Sequence, residues 1–561
     1  MIVTLLNWIW AFVSFFLTGM LIRKAAGRIT GWYMNRADET VVCGIVFCTV
    51  YAQIVSLFYK VGVLCTCMLF LVDLVCIMVC RKDLTDLFKS VRNTGVCRWK
   101  AFMCLLFGFF FLMAATLKVE HVDSYLYHAQ AIEWNELYGA VKGLGNLHAR
   151  LAYNSSFFCL QALFSLRGLT GRSLHVLNGL FCFLAVAYSF TSLKIFDTKK
   201  ISASDTVRVI TFLYVIYTAS YISSPNSDIL TLLFLIYILI KWTEIAEGRK
   251  DRVLEETAFL GVLSVYLVSL KLSAMPFVLL CLYPFYRFIK TGNLKGLAVM
   301  LLSGTIVIIP FFIRNVIISG YLLYPFPALD LFDPDWKIPA SKAAYESREI
   351  MAWGRGLFLS EEYGLGFGVW IHRWWQYLES EFKFFILIDL AALIFDTVVL
   401  IKAVISKKAD IKIFLMIVTV TAWTYWFFTA PIVRYGMPLM IMVPAVSMLF
   451  ADRKVGICFA TVTGFFTAVM LIGLVTKFDT YNCKIVFPED YPLNEGKENK
   501  ITSTTGEEFI IYTPVDNAEL PEYPIYHQFP AVPLWENVKE TEMRGKDFSE
   551  GFRYRKQENK N

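Results

Sequence analysis

Runs of seventeen or more apolar residues recur along most of this 561-residue chain, and nothing else in it limits the possible folds so sharply. Each run is long enough to cross a hydrocarbon core of about 30 Å. With 57% of residues hydrophobic and 16% aromatic, ordinary soluble domains have no room to bury so much apolar surface. The chain reads as an all-α polytopic membrane protein. About fourteen spans are expected, near 2–22, 41–58, 61–80, 101–117, 174–193, 209–223, 228–243, 256–271, 273–289, 297–313, 384–402, 411–428, 433–450 and 456–475. The stretch 155–166 is apolar but too short to cross, and is expected to lie along the interface.

Charge sets the orientation. Nothing basic precedes the first span, whereas Arg23, Lys24 and Arg28 follow it. A cleaved signal peptide is therefore not indicated, and the N-terminus is expected outside. The alternation then holds: alternate short loops carry clusters such as Arg81, Lys82 and Arg98, or Arg249, Lys250 and Arg252, while loops around 59–60, 224–227 and 429–432 hold only Lys60. The net charge of +7 thus belongs to inner loops, and nucleic acid is not an expected partner. Residues 1–99 form three spans and an inner loop. Residues 100–475 form a core with long outer segments 118–173 and 314–383. Residues 476–561 form an outer tail, expected to be a small, loop-rich cap in which FIIYT (509–513) is a strand. Cys76 and Cys80 share a helix face without the His or second Cys pair that a metal site needs. No Walker A, GxGxxG, HExxH or zinc-finger spacing is present.

KVEHVDSYLYHAQAIEW, residues 118–134, crowds titratable side chains directly after the fourth expected span. Residues 123–138 read as an interfacial helix, with Tyr125, Ala129 and Ile132 on one side and Trp134 and Tyr138 at interfacial depth. Asp123 is either its N-cap or a general base, a partly desolvated carboxylate able to take a proton from an attacking hydroxyl. Glu120, His121, Tyr127 and His128 flank it as candidate substrate-binding groups.

SSPNSDILTLLF, 223–234, brings a second carboxylate, Asp228, to the same face, where it or Ser227 could simply cap the next helix. Lys271 interrupts a long apolar stretch; snorkelling explains such a Lys, yet intramembrane cations also mark sites. Arg314 with Asn315 in PFFIRNVIISGYLLYP and Arg434 in FTAPIVRYGMP complete the set. Either Arg could bind lipid head groups. Together with Lys271 they could form a phosphate cradle facing the two Asp residues.

EHVDSYLYHAQAIEW after a span, SPNSDILTLLF opening a later helix and the PIVRYG turn, in this order and on one side, resemble the GT-C superfamily of membrane glycosyltransferases. RNVIISGYLLYP and the tail's MRGKDFSEGF resemble a bacterial branch of such proteins. The resemblance spans roughly 100–475 and implies a polyprenyl-phosphate-linked sugar as donor. It further implies a hydroxyl of a cell-envelope glycan, lipid or protein as acceptor, on the outer side of the bacterial plasma membrane. Asp123 matches the position of the catalytic carboxylate; Arg314, Arg434 and Lys271 would stabilise the departing phosphate. Family members often carry an acidic pair side by side, whereas Glu120 and Asp123 stand three apart with His121 between them. No metal or other cofactor is therefore expected, a divalent cation being the only candidate. Two further readings are a polymerase or ligase of lipid-linked glycans, suggested by Arg348, Arg355, His372 and Arg373, and a transporter or flippase, suggested by Asp73, Asp389 and Asp396. Asn154-Ser155-Ser156 is a glycosylation sequon on the outer side.

Overall fold

The computed structural model describes residues 1–31, 36–93, 97–195, 202–249, 252–407, 410–451, 482–515, 525–533 and 538–555, with scattered positions between 461 and 478. Among these, eight helices are long and apolar enough to cross a bilayer: Ile2–Thr30, Ala37–Ser56, Ser227–Ala246, Val253–Leu270, Leu272–Thr291, Leu294–Ser319, Phe382–Ile405 and Ile411–Thr429. A ninth candidate, Val63–Val79 continued by Arg81–Leu87, is bent by 73°. The protein is thus a largely helical membrane protein. The other expected spans fall on shorter helices. Arg98–Ala114 has 17 residues, and Leu177–Thr191, Ala203–Tyr217 and Val433–Ser447 have 15 each. Fifteen residues rise only about 22 Å, less than the core thickness. The expected span 456–475 lies largely outside the described residues.

Ser227–Ala246 is the central helix. Between Asp228 near its start and Lys241 and Glu244 near its end it is apolar on every side, and it is buried along its whole length, as such a helix must be. Ala203–Tyr217, Val253–Leu270, Leu177–Thr191 and Val433–Ser447 surround it. The break expected at Lys271 is present: Val253–Leu270 stops there, Lys271 is extended, and a 3-10 run follows over Leu272–Cys281.

One end of the bundle gathers the chain's N-terminus, the two long loops and the tail. The N–H groups of Ile2 and Val3 donate to the carbonyls of Ile485 (2.9 Å) and Val486 (3.1 Å), and Glu489 N–H donates to Thr116 O (2.9 Å). Beyond this seam, Lys497–Thr502 pairs antiparallel with Glu508–Thr513, so FIIYT is indeed a strand, and Thr541–Met543 pairs with Phe552–Tyr554. The tail therefore carries more regular structure than its composition suggests. It lands on the loop after the 98–114 helix: Phe552 N–H donates to Lys142 O at 2.9 Å. Gly551, at φ 93°, allows that approach, since a Cβ there would sit 2.1 Å from the same oxygen.

This cap corrects two expectations. Residues 123–138 do not lie on an interface. They form a π-helical turn, Ser124–His128, and a helix, Ala129–Leu137, buried between bundle and cap. Trp134 has no exposure and packs against Phe529, Phe548 and Phe552 of the tail, with ring centroids 4.7–5.9 Å apart. Likewise 155–166 is not interfacial: all nine residues of the helix Ser156–Phe164 are buried.

The opposite end holds a sealed charge network. Lys241, fully buried, meets Asp38 (2.6 Å), Glu39 (3.3 Å) and Glu256 (3.5 Å). Arg208 joins Asp205 (3.0 Å) and Glu244. Every charge there has a partner, which makes burial tolerable.

Candidate functional site

Two short segments bring the candidate carboxylates together. Ser223 donates its hydroxyl proton to Lys118 O (2.8 Å), and His121 N–H donates to Ser224 Oγ (3.3 Å), lashing the 118–123 exit to the 223–228 turn. Asn178 holds that turn from below, donating to Ser224 O and Asn226 O (2.7 and 2.9 Å). The helix Ser227–Ala246 is capped by Asn226, whose side chain accepts from Asp228 N–H at 2.8 Å. Neither Asp has capping work. Asp123 makes no cap hydrogen bond, and the Asp228 carboxylate faces Lys271 and Arg434.

Arg434 is the pivot. Its Nη2 donates to Asp123 Oδ2 (3.1 Å), its Nε lies 3.0 Å from Asp228 Oδ2, and its Nη1 reaches His121 Nε2 (2.6 Å). The turn that carries it is clamped by three donors: Trp374 Nε1 to Pro431 O (2.7 Å), Trp426 Nε1 to Ile432 O (3.0 Å) and Arg355 to Phe428 O (2.7 Å). Gly436 makes room for the Trp426 ring, which would lie 2.0 Å from a Cβ there. Lys271 pairs with Asp228 and sits 3.5 Å over the Tyr435 ring. On the other flank Arg150 Nη1 donates to Asp123 Oδ1 (3.4 Å), its Nε lies 3.9 Å from Glu346, and Tyr153 donates to the same carboxylate. The result is an alternating chain, Lys271–Asp228–Arg434–Asp123–Arg150–Glu346, in which three acids balance three bases.

The chain is partly open to water. Asp123, Lys271, Arg434 and Arg150 keep 18–26% of their side chains exposed, against 5% for Asp228. Burial raises the Asp123 carboxyl, but Arg434, His128, His121 and Arg150 more than offset it and hold it well below the usual carboxylate range. Burial, helped by Arg434, pushes His121 down to about 4, and burial takes His128 to about 3. Both rings are therefore neutral near pH 7, as Arg434 requires of the nitrogen it donates to. The rings stack 5.7 Å apart, and His128 Nδ1 is buried without a hydrogen-bond partner among the described residues.

Of the sequence candidates, Asp123, His121, His128, Asp228, Lys271 and Arg434 converge. Tyr127 is buried beside them, edge-on to Tyr153. Three do not join. Glu120 is exposed and takes part in none of these contacts. Arg314 is buried elsewhere, donating to Asn154 Oδ1 (2.9 Å) and to Ser56. Ser56 ends the helix Ala37–Ser56, so this cation meets the negative end of a helix rather than a phosphate cradle. Asn315 Oδ1 accepts from Asn154 (2.8 Å) in the same cluster. Asn154 is thereby buried at 4% exposure, which removes the sequon as a modification site in the folded chain. Sequence reasoning missed Arg150, Glu346 and Tyr153. No group of three or more metal-ligating side chains is assembled among the described residues.

A bundle with a partly open charge chain under a folded cap defines a membrane protein whose polar site lies at the loop end. Residues 1–441 match the family described as Domain of unknown function (DUF8201), and the chain belongs to that family. The match takes in every member of the charge chain and leaves the tail outside. No curated protein and no solved structure matches the chain.

Proposed function

We propose that this protein is a GT-C-type glycosyltransferase that moves a sugar from a polyprenyl-phosphate donor to an acceptor hydroxyl, outside the bacterial plasma membrane, with N-terminus and tail on that side. The observation carrying this reading is Arg434 shared between Asp123 and Asp228, with Lys271 beside them. An anionic donor phosphate drawn to Arg434 and Lys271 competes with Asp123 for the guanidinium and frees its Oδ2, while Arg150 still holds Oδ1. Asp123 then takes the acceptor's proton as its oxygen attacks the anomeric carbon. The bond from that carbon to the phosphate oxygen breaks with inversion, and its electron pair leaves on polyprenyl phosphate, held by the two cations. A freed Asp123 is a far better base than the paired one, so donor binding and base activation are one event.

The polymerase reading draws less support, since Arg373 is tied to Glu362. Asp73, Asp389 and Asp396 accept from Ser14, Trp423 and Ser447 respectively, each a separate interhelical tie rather than a continuous proton path. The test is a mass-spectrometric assay on protein in lipid, with a panel of polyprenyl-phosphate sugars and crude envelope acceptors. Wild type is expected to release polyprenyl phosphate and Asp123→Asn is not; equal release by both would remove Asp123 from the chemistry.

A further inference from the structure

A cavity of about 320 Å³ lies among the helices Ile2–Thr30, Ala37–Ser56, Leu177–Thr191, Ala203–Tyr217 and Ser227–Ala246. It is separate from the charge chain. Leu230 lines it while Asp228 serves the chain, and two residues turn an α-helix by about 200°. Its walls are apolar, aliphatic with some aromatic rings, with Ile45, Phe181, Leu230, Leu233 and Phe234 among them. Such a wall offers water too few polar partners. Phe12, 38% exposed, stands at its edge on the lipid-facing side of the first helix. From Leu230 to Ile240 the cavity follows ten residues, about 15 Å of helix and half of a core about 30 Å thick.

Polar groups gather at the end of the cavity away from the cap. Asp38 is already engaged by Lys241 (2.6 Å), Arg36 (3.2 Å) and the Tyr237 hydroxyl (3.0 Å). Tyr188 is not: its hydroxyl is buried and has no hydrogen-bond partner among the described residues. Arg36, with 41% of its side chain exposed, stands next to Asp38. An occupant must therefore be a hydrocarbon about one leaflet long, ending in a hydrogen-bonding group, with room for an anion near a guanidinium.

We infer that this cavity holds one acyl chain of a membrane phospholipid. The chain's methyl end lies at Leu230, its ester meets the Tyr188 hydroxyl and its phosphate sits beside Arg36. The occupant belongs to the half of the bilayer away from the cap, so the site is independent of glycosyl transfer.

The full chain, reconstituted in phosphatidylethanolamine vesicles whose acyl chains carry a diazirine, is irradiated and digested, and the labelled residues are mapped by mass spectrometry. Label is expected on Phe181, Leu230 or Leu233, as well as on the lipid-facing Leu301 and Leu302 (50% and 61% exposed). Leu233→Trp, which fills the cavity, is expected to lower the internal label several-fold while leaving Leu301 and Leu302 unchanged. Tyr188→Phe is expected to reduce co-purified phospholipid. Label confined to outward-facing positions in wild type would overturn the inference whether or not either variant accumulates. Internal label undiminished in Leu233→Trp would also overturn it.

Discussion

Two charge networks sit at opposite ends of the helix Ser227–Ala246, Asp228 serving one and Lys241 and Glu244 the other, about 20 Å apart along the axis. In the second, side-chain exposure runs from 0% at Lys241 and 1% at Arg208 through 8% at Glu39 to 15% at Asp38, and only Arg36 and Arg249 at its rim reach water more fully. In the first, all three cations and Asp123 keep about a fifth to a quarter of their surface in water. Both networks are built from the same residue types, so composition does not separate them. Access does. Charges that water cannot reach have no alternative partner, and their work is to fix helix register. Charges at a wet boundary can exchange a protein partner for a ligand, which a site for an anionic substrate requires.

The contrast breaks most visibly at Asp123. Asp123→Asn keeps the shape and is expected to lower glycosyl transfer by about 10²–10⁴-fold, the usual range for losing a general base, with yield and thermal midpoint little changed. Arg434 keeps Asp228 in that variant, which is why the fold survives. The sealed network should behave in the opposite way. Lys241→Ala leaves the buried Glu39 without its cation and takes one partner each from Asp38, which keeps Arg36, and Glu256, which keeps Arg249; a cost of about 3–5 kcal/mol is expected, read as a fall in thermal midpoint and folded yield. Intact stability in Lys241→Ala would mean that the sealed network is not structural.

Acid sharpens the comparison. Burial holds His128, His148 and His175 down to about 3 and His121 to about 4. Each folded value lies below the ordinary one near 6.5, so the unfolded chain binds more protons between the two. Stability is complete above about 6.5 and falls as pH drops, by up to about 1.4 kcal/mol per unit for each ring. Glu133 opposes them: burial, resisted by Arg167, raises it to about 7, so it gains stability as pH falls from there towards its ordinary value. The thermal midpoint is expected to fall between pH 7.5 and 5.5, and less steeply in His148→Leu. The smallest effect belongs to the rim of the cap. Arg544 and Asp335 pair at 3.0 Å but are 21% and 49% exposed, so Arg544→Ala should cost less than about 1 kcal/mol in chemical denaturation.

Four of the six charge-chain members were legible because each interrupts or borders an apolar run. Asp123, Asp228, Lys271 and Arg434 stand out against such a background, and a charge there has few innocuous places to go. Arg150 and Glu346 were hidden by their setting: Glu346 shares its polar loop with Arg348 and Glu349, and nothing local tells one from another. Arg314 misled for a related reason. An Arg at the end of an apolar helix looks the same whether it meets a phosphate or, as here, a hydroxyl and a helix C-terminus. The apolar segments were readable, but their lengths were not: Ala203–Tyr217 ends at Thr218 and gives way to a 3-10 turn, Ala219–Tyr221, within the expected span 209–223. The burial of Ala129–Leu137 was beyond local reading altogether, since its cover is made of residues some four hundred positions later.

Chain order gives the Arg434–Asp123 pair a further meaning. The partners are separated by 311 residues, and translation runs one way. As the polypeptide emerges, Asp123 is made first, then Arg150, Asp228, Lys271 and Glu346, and the arginine that joins the two halves comes last of the six. Until it arrives, the nascent protein holds two carboxylates at the loop end without their common counterion. The lid over Trp134 is younger still. Assembly of the polar centre is therefore a late event in biogenesis, and a ribosome stalled before position 434 would leave a membrane-inserted intermediate whose two aspartates have Lys271 and Arg150 but lack the cation that joins them.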